Sequence, residues 1–154
     1  MDELELLKEI EKLDKTIITN KLFTRDLKEC DWETLVSWWN SWQDWTTPAR
    51  DFLPNNGTGG LMVEKDGVPI IAGFIYETNS AGVLFEWVVS NPNYREDDRQ
   101  EAVEKLLNDA ESRIKEMGYK HIFSVGRSKR LIDTHKKLGW FVDDNPSHEI
   151  IKNI

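Results

Sequence analysis

Residues 88 to 107 read Val88-Val-Ser-Asn-Pro-Asn-Tyr-Arg-Glu-Asp-Asp-Arg-Gln-Glu-Ala-Val-Glu-Lys-Leu-Leu107. The two valines end an apolar run typical of a buried strand, a polar loop follows, and apolar residues then recur at helical spacing. Many anion-binding sites consist of a strand, a loop and a helix in this order, because free N–H groups at the helix N-terminus point at the ligand. The loop lacks the glycine that usually allows so close an approach, and it carries Asp97, Asp98 and Glu101. The segment therefore predicts the architecture of an anion site without its usual loop chemistry.

Length and composition bound the class of protein. A chain of 154 residues, with 39% hydrophobic and 31% charged residues, predicts one globular domain. No apolar run approaches the length of a membrane span, and the acidic N-terminus lacks a signal core, so we expect a cytoplasmic protein without a membrane partner. A lone Cys30 cannot form an internal disulfide, and no His or Cys spacing predicts a metal site.

The net charge of −8 argues against a nucleic-acid partner, because no Lys/Arg-rich run offsets it locally. Two interpretations of the acidic surface stay open. The acidic surface is either simply solvated, or it attracts a cationic partner such as a basic protein segment or an acceptor amine.

The N-terminal residues predict an amphipathic helix over residues 3 to 18. Leu6, Ile10, Leu13 and Ile17 are spaced by four and three residues between Glu and Lys. Such a face must pack against something, and its two heptads favour docking on its own domain over dimerisation. A homodimer formed through this face is the alternative.

The next segment predicts a first strand over residues 21 to 27 and then a tryptophan-rich helix capped by Asp31. Trp38 and Trp45 fall at the edge of its apolar stripe, so we expect them to be partly exposed. They are either rim residues of the core or a wall of an acceptor or partner site. Residues 46 to 60 read as one long loop of turn-forming residues.

The remaining pattern predicts a three-strand meander followed by alternating helices and strands. Asp66-Gly67 suits a two-residue hairpin turn, and Gly73 marks a bulge in the second arm of that hairpin. The expected strands are 61–65, 68–77, 83–90, 120–125, 140–142 and 149–154, and the expected helices end at Gly118 and Leu138.

This order of elements resembles the fold of the GNAT (GCN5-related N-acetyltransferase) superfamily, and two motifs make the resemblance specific. The first is a strand followed by Pro92, Tyr94 and Arg95, which resembles the entry to the family's pyrophosphate loop. The family usually continues Arg-x-x-Gly-x-Gly, whereas this chain has Asp98 and Gln100 at the glycine positions.

The second motif is Ser128-Lys-Arg-Leu-Ile-Asp-Thr-His-Lys-Lys-Leu-Gly-Trp140, which resembles the family's Asn-x-Arg-Ala-Ile-x-Leu-Tyr-Glu-Lys-Leu-Gly-Phe. Ser128 stands for the cofactor-contacting Asn, and His135 stands for the Tyr that protonates the departing thiolate. Glycine-free loops of this kind also resemble GNAT-like proteins encoded by tailed bacteriophages, which would place the protein in the host cytoplasm.

The resemblance implies an α/β (α+β) fold with a mixed, mostly antiparallel central sheet, a splayed cleft and flanking helices. It covers residues 19 to 154 as a single domain, and the N-terminal helix of residues 1 to 18 lies outside it. It implies acetyl-CoA as co-substrate, no metal, and direct attack by a small amine or a protein amine. The residues that it places at the cofactor are Val88, Val89, Arg95, Asp98, Arg99, Gln100 and Ser128.

Two residues are candidates for proton transfer. His135 can act as a general acid, because an unperturbed histidine has a pKa of roughly 6.5. Glu86 lies on the strand before the loop, where apolar company can raise the pKa of a carboxylate and make it a base. Trp38 and Trp45 would shape the acceptor site. Each of these residues also has a purely structural interpretation, as a surface, hydrogen-bonding or packing residue.

The loop leaves two functions open. Either arginines replace the glycine cradle and CoA still binds, or Asp98 and Glu101 form a capping box that uses the same N–H groups. The second alternative describes a non-catalytic interaction protein with the same fold, such as a phage accessory or host-takeover factor.

Overall fold

The structure, a computed structural model, describes residues 2–19, 21–43 and 45–154, with side chains left undescribed from 13 to 19. Its helices are α1 (Glu3–Thr19), α2 (Trp32–Ser41), α3 (Arg99–Glu116) and α4 (Lys129–Lys137). Its strands are β1 (Phe23–Asp26), β2 (Gly60–Lys65), β3 (Val68–Tyr76), β4 (Gly82–Ser90) and β5 (His121–Phe123). Short 3-10 turns lie at Glu29–Asp31, Arg50–Phe52 and Pro54–Gly57.

The five strands form one sheet in the order β1-β2-β3-β4-β5. The pairs β1–β2, β2–β3 and β3–β4 are antiparallel, and β5 lies parallel to β4. Asp66 and Gly67, with φ of 53° and 77°, close the β2–β3 hairpin as predicted, because a two-residue turn of this hand needs positive φ at both positions. The fold class is therefore confirmed as a mixed, mostly antiparallel sheet with flanking helices.

The two faces of the sheet bury separate cores. The apolar stripe of α3 packs on one face, where Leu106, Leu107 and Ile114 are almost fully buried against Phe85 and Val63. The tryptophan stripe of α2 packs on the other face, where Trp39 contacts Phe74 and Trp87. Burial of these apolar surfaces supplies most of the driving force for folding, and it fixes β4 as a strand covered on both sides.

β4 contains a β-bulge opposite Gly73. Phe74 pairs with Glu86 and Ala72 pairs with Val89, so Trp87 and Val88 together oppose a single residue of β3. The sequence predicted a bulge at Gly73, and the structure places the extra residue on the neighbouring strand. A side chain at Gly73 would meet the Phe85 ring at 2.4 Å, which explains the glycine.

β4 and β5 stay together over only three residue pairs, from Gly82–His121 to Leu84–Phe123. Beyond Leu84 no described strand pairs with the edge of β4 that faces β5. The two strands separate there, and this separation is the predicted splayed cleft.

Several sequence predictions were wrong. The expected strands 140–142 and 149–154 are absent, and Phe141 and Ile150 are 92% and 93% exposed. Among the described strands β5 pairs only with β4, and neither segment adds to its other edge. Asp31 does not cap α2, because its carboxylate instead pairs with Arg25 at 2.8 Å.

The N-terminal helix forms as predicted, but its apolar face is not buried where the structure describes it. Leu6 and Ile10 are 51% and 45% exposed, so the expected docking on the domain is wrong for these side chains. The predicted contacts of Leu13 and Ile17 lie outside the described side chains. No helix in the described parts of the chain is long and apolar enough to cross a membrane.

Candidate active site

A cavity of about 290 Å³ lies where β4 and β5 diverge. Its walls come from five parts of the chain: the turn after α2, Ile71 of β3, β4 from residue 86 to 90, the start of α3, and the segment from the end of β5 into α4. Glu86 lies at one end of the β4 wall and Ser90 at the other, roughly 13 Å apart along a strand. The two ends of the cavity have different chemistry.

Glu86 bridges the opening between the strands. One of its carboxylate oxygens accepts a hydrogen bond from the Val125 N–H at 2.8 Å, and it is about half-buried. The pKa of Glu86 is raised to about 7, mainly by burial and in smaller part by the negative charge of Glu149. The Val125 N–H and the charge of Arg127 lower the pKa but do not cancel the effect of burial. A carboxyl group with this pKa can accept a proton near neutrality.

The opposite end of the cavity is cationic. Arg99 and Arg130 line it, and the guanidinium of Arg99 lies 5.8 Å from the Trp42 ring. Burial lowers the pKa of Arg99, and the charges of Arg95 and Arg130 lower it further. No carboxylate in the described parts of the chain forms a salt bridge with any of these three arginines. This end therefore offers an uncompensated positive charge to an anion.

The loop before α3 leaves helix N–H groups unused. The N–H groups of Arg99 and Ala102 donate to the carbonyls of Glu96 and Asp98, whereas those of Gln100 and Glu101 meet no acceptor within the described residues. They are two of the donors that an N-terminal anion site requires.

Asp98 does not form the capping box that the sequence allowed. Its carboxylate accepts hydrogen bonds from Lys65 at 2.9 Å and from the Tyr94 hydroxyl at 2.7 Å. These two contacts lower the pKa of Asp98. The side chain therefore fastens the loop to the β2–β3 hairpin instead of covering the N–H groups of α3.

Gln100 is held by two neighbours on α4. Its amide nitrogen donates to the Thr134 hydroxyl at 2.9 Å, and its amide oxygen accepts from Arg130 at 3.2 Å. Ser128 caps α4, because its hydroxyl accepts from the Leu131 N–H at 3.1 Å. Both residues line the cavity, so α4 is tied to α3 across it.

The other wall holds Arg127 between two indole rings. Its guanidinium carbon lies 5.2 Å from the Trp45 ring and 5.0 Å from the Trp87 ring. The same guanidinium forms a two-point ion pair with Glu149. Each cation–π contact is worth about 0.5–1 kcal/mol. The two indoles therefore add to the ion pair in holding Arg127.

Trp87 is fixed in turn by its neighbours. It adopts φ of 58° at the bulge, and its ring makes edge contacts with Trp39 at 6.5 Å and Phe52 at 6.0 Å. A tryptophan with positive φ is uncommon, so the bulge and these two rings define its orientation.

His135 does not line the cavity. It is 5% exposed, its Nδ1 shares a 2.7 Å hydrogen bond with the Leu131 carbonyl, and its Nε2 is buried without a partner. The ring packs edge-on against Trp140 at 4.8 Å. One residue earlier, Thr134 faces the cavity instead.

The structure brings together most of the residues that the sequence predicted for the site. The cavity is lined by Glu86, Val88, Val89, Arg99, Gln100, Ser128 and Trp45. It is not lined by Arg95, Asp98, His135 or Trp38. Arg95 instead lies 5.9 Å from the Trp42 ring, and Trp38 is 4% exposed, so its predicted partial exposure was wrong.

Sequence reasoning missed Trp42, Trp87 and Arg130, all of which line the cavity. Arg130 matched the second motif, which was a usable signal. Nothing local marked Trp87, because only strand pairing reveals the bulge that orients it. Within the described residues, no group of three or more His, Cys, Asp or Glu side chains could hold a metal ion.

Neither a protein-family model nor a curated protein matches this sequence. Solved structures match the fold. N-acetylglutamate synthase from Neisseria gonorrhoeae, in complex with coenzyme A and N-acetyl-glutamate, matches with a TM-score of 0.61 at 12% identity. The match covers 75% of this chain and 28% of that one, so this chain spans less than a third of the synthase.

Two further structures match over most of both chains. An aminoglycoside acetyltransferase from an uncultured soil metagenomic sample, in complex with sisomicin, has a TM-score of 0.61 at 12% identity and covers 86% of this chain and 97% of its own. A GCN5-related N-acetyltransferase from Ralstonia eutropha has a TM-score of 0.58 at 19% identity, with coverages of 84% and 99%. This chain therefore has the fold of these acetyltransferases.

Proposed function

We propose that the protein is an N-acetyltransferase that transfers an acetyl group from acetyl-CoA to a primary amine. The observation that carries the proposal is one cavity with a carboxyl group of raised pKa at one end and uncompensated arginines at the other. The fold shared with the acetyltransferase structures supports the same reaction class.

The cationic end suits the diphosphate of CoA. Arg99 and Arg130 supply charge, and the unused N–H groups of Gln100 and Glu101 supply donors at the start of α3. Arginines thus take over part of the role of the missing glycines. Arg95 lies close enough to add long-range attraction.

The β4 edge suits the amide-containing arm of CoA. Beyond Leu84 that edge has no strand partner in the described structure, and Val88 and Val89 line the cavity. An extended ligand with amide groups can add to such an edge through main-chain hydrogen bonds. The arm would then run from the arginines towards Glu86.

Glu86 would act as the base. The acceptor ammonium gives a proton to the carboxylate, and the neutral amine attacks the thioester carbonyl directly. A C–N bond forms and the C–S bond breaks, and the second proton lost by the amine nitrogen passes through water to the departing thiolate. This assignment does not require His135, which lies outside the cavity.

Calorimetric titration with acetyl-CoA tests the donor site. We expect binding by the unmodified protein and affinity about ten- to a hundredfold weaker for Arg99→Gln, because a charge-assisted hydrogen bond contributes roughly 1.5–3 kcal/mol. Arg113→Gln is the matched control, since Arg113 lies on the same helix but pairs with Asp26. The absence of heat at millimolar acetyl-CoA would exclude the proposed function.

A second candidate is a non-catalytic interaction protein, and one observation favours it. α1 presents Leu4, Leu6, Leu7 and Ile10, each at least 45% exposed. Contiguous exposed apolar side chains often mark interaction sites.

A cytoplasmic location and an origin in a tailed bacteriophage stay predictions from the sequence.

A further inference from the structure

The guanidinium of Arg127 lies at the wall of the cavity and is held there by aromatic side chains. Two indole rings hold its guanidinium, and the ring of Trp87 is itself packed against Trp39 and Phe52. A guanidinium held in this way keeps the planar fork that matches a carboxylate at two points. The residue is thus a ready carboxylate receptor facing the cavity.

The carboxylate that now occupies this receptor belongs to Glu149. Glu149 lies in a segment without helix or strand, and the next residue, Ile150, is 93% exposed. Its side chain remains 35% exposed in the ion pair. Of the two partners, Glu149 is therefore the one that a ligand can displace without disturbing the aromatic wall.

Glu86 lies near the same ion pair, because its carboxylate accepts from the Val125 N–H, two residues before Arg127, and both Glu86 and Arg127 line the cavity. We propose that Glu149 occupies the place of a substrate carboxylate, and that the acceptor is an amino acid with its carboxylate on Arg127 and its amine at Glu86. This inference rests on the proposed acetyltransferase function. It narrows the acceptor from any amine to an amine that carries a nearby carboxylate.

The positive charge of Arg127 favours an amino acid as the acceptor over an amine that carries a second positive charge. An incoming carboxylate takes the place of Glu149 on Arg127, so the guanidinium keeps an anionic partner. A second cation on the acceptor would instead lie beside Arg127, or would have to displace it from both indoles. A cationic acceptor is therefore the outcome that the experiment must distinguish.

Binding of acid and amide pairs to the unmodified protein is the first test. L-alanine, L-leucine and L-phenylalanine are each titrated beside the corresponding primary amide, without acyl donor. The amide keeps the shape and removes the negative charge, so at least one acid should bind about tenfold more tightly than its amide. Equal binding, or tighter binding of the amides, overturns the inference.

Variants of the ion pair form the second test. Glu149→Gln should tighten binding of that amino acid several-fold, because it frees Arg127, while Arg127→Gln should weaken it about tenfold or more. Glu104→Gln is the control, because Glu104 forms an ion pair with Lys137 and neither lines the cavity. Arg127→Lys keeps the charge without the planar fork, and it should bind weakly while remaining folded by circular dichroism.

Acetyl-CoA titration of the same proteins separates the two proposals. If acetyl-CoA binds to all of them but acids and amides do not differ, the amino-acid inference fails and the proposed function stands. If acids are preferred but acetyl-CoA does not bind, the receptor is real and the proposed function fails.

Discussion

At the scale of single residues, the chemistry of the site depends on the burial of one carboxyl group. Glu86 lies between two diverging strands, where burial is the main cause of a pKa raised to about 7 and the Val125 N–H and Arg127 partly compensate. A carboxylate at an ordinary pKa would be a weaker base, and one fully buried would rarely ionise. The opening between β4 and β5 therefore sets the basicity of Glu86.

Glu86→Gln should lower kcat/KM by about 10²–10⁴-fold, the usual contribution of a general base. In the unmodified protein kcat/KM should rise with pH through about 7, because the ionised form of Glu86 accepts the proton. Rates of thiol release across pH 5.5 to 8.5 check both statements. A variant with normal rates and the same pH profile would remove Glu86 from the mechanism.

The same substitution should change stability in a predictable direction. The pKa of Glu86 is raised from 4.5 to about 7, so the folded state binds more protons than the unfolded state between these values. The contribution of Glu86 to the free energy of unfolding therefore falls as pH rises through this window. Urea unfolding of Glu86→Gln should lack this component, and an unchanged pH dependence would contradict it.

His135 is expected to contribute to stability rather than to turnover. His135→Ala removes a buried ring that packs on Trp140 and bonds the Leu131 carbonyl, so it should lower the free energy of unfolding by about 1–3 kcal/mol. kcat should stay near normal, and His135→Asn, which keeps a donor, should recover part of the stability. A large loss of kcat with unchanged unfolding would restore the histidine as an acid.

At the scale of elements, the sequence predicted those structures whose signals are local. The stripe of α3 and the Asp66-Gly67 turn each carry their own pattern within a few residues, and both formed as expected. The strands expected at 140–142 and 149–154 depend on a partner edge elsewhere in the chain, and among the described strands β5 pairs only with β4. The position of the bulge also could not be predicted from the sequence, because it is defined by pairing between β3 and β4.

The residues of the candidate site likewise divide into those with a local sequence signal and those that depend on distant parts of the chain. Val88, Val89, Arg99 and Gln100 were predictable because one continuous segment carries them. The Arg127 receptor was not, since its indoles and its carboxylate come from separate parts of the chain. The burial of His135 also depends on Trp140, whose packing has no signature in the motif.

The bulge predicts an unusual sensitivity at Gly73. Gly73→Ala would place its Cβ at 2.4 Å from the Phe85 ring, so it should destabilise the protein by about 1–3 kcal/mol. Gly82→Ala on the neighbouring strand is the control, because its Cβ would meet nothing closer than 3.6 Å. Equal urea midpoints for the two variants would mean that the Phe85 ring moves without cost.

At the scale of the whole molecule, the described core belongs to the sheet, α2 and α3, whereas α1 leaves its described apolar residues in solvent. Deletion of residues 1 to 18 should therefore leave the melting temperature and acetyl-CoA affinity unchanged within error. A loss of either would show that the helix supports the domain.

Light scattering of the same two proteins decides what α1 does. If the full chain is a dimer and the shortened chain a monomer, the exposed leucines and Ile10 form the interface. If both are monomers, homodimerisation through α1 is excluded.

The extra residue in β4 also changes which face of the sheet the alternate side chains of that strand occupy. Val83 and Phe85 belong to the core beneath α3, yet Trp87 and Val89, two and four positions later, belong to the core beneath α2. Side chains of an uninterrupted strand would keep the same face at every second position. One strand thus contributes to both cores in turn, so loss of a single residue there would send Trp87 to the wrong side. Substitutions along β4 can therefore preserve both cores only while the length of the strand is kept.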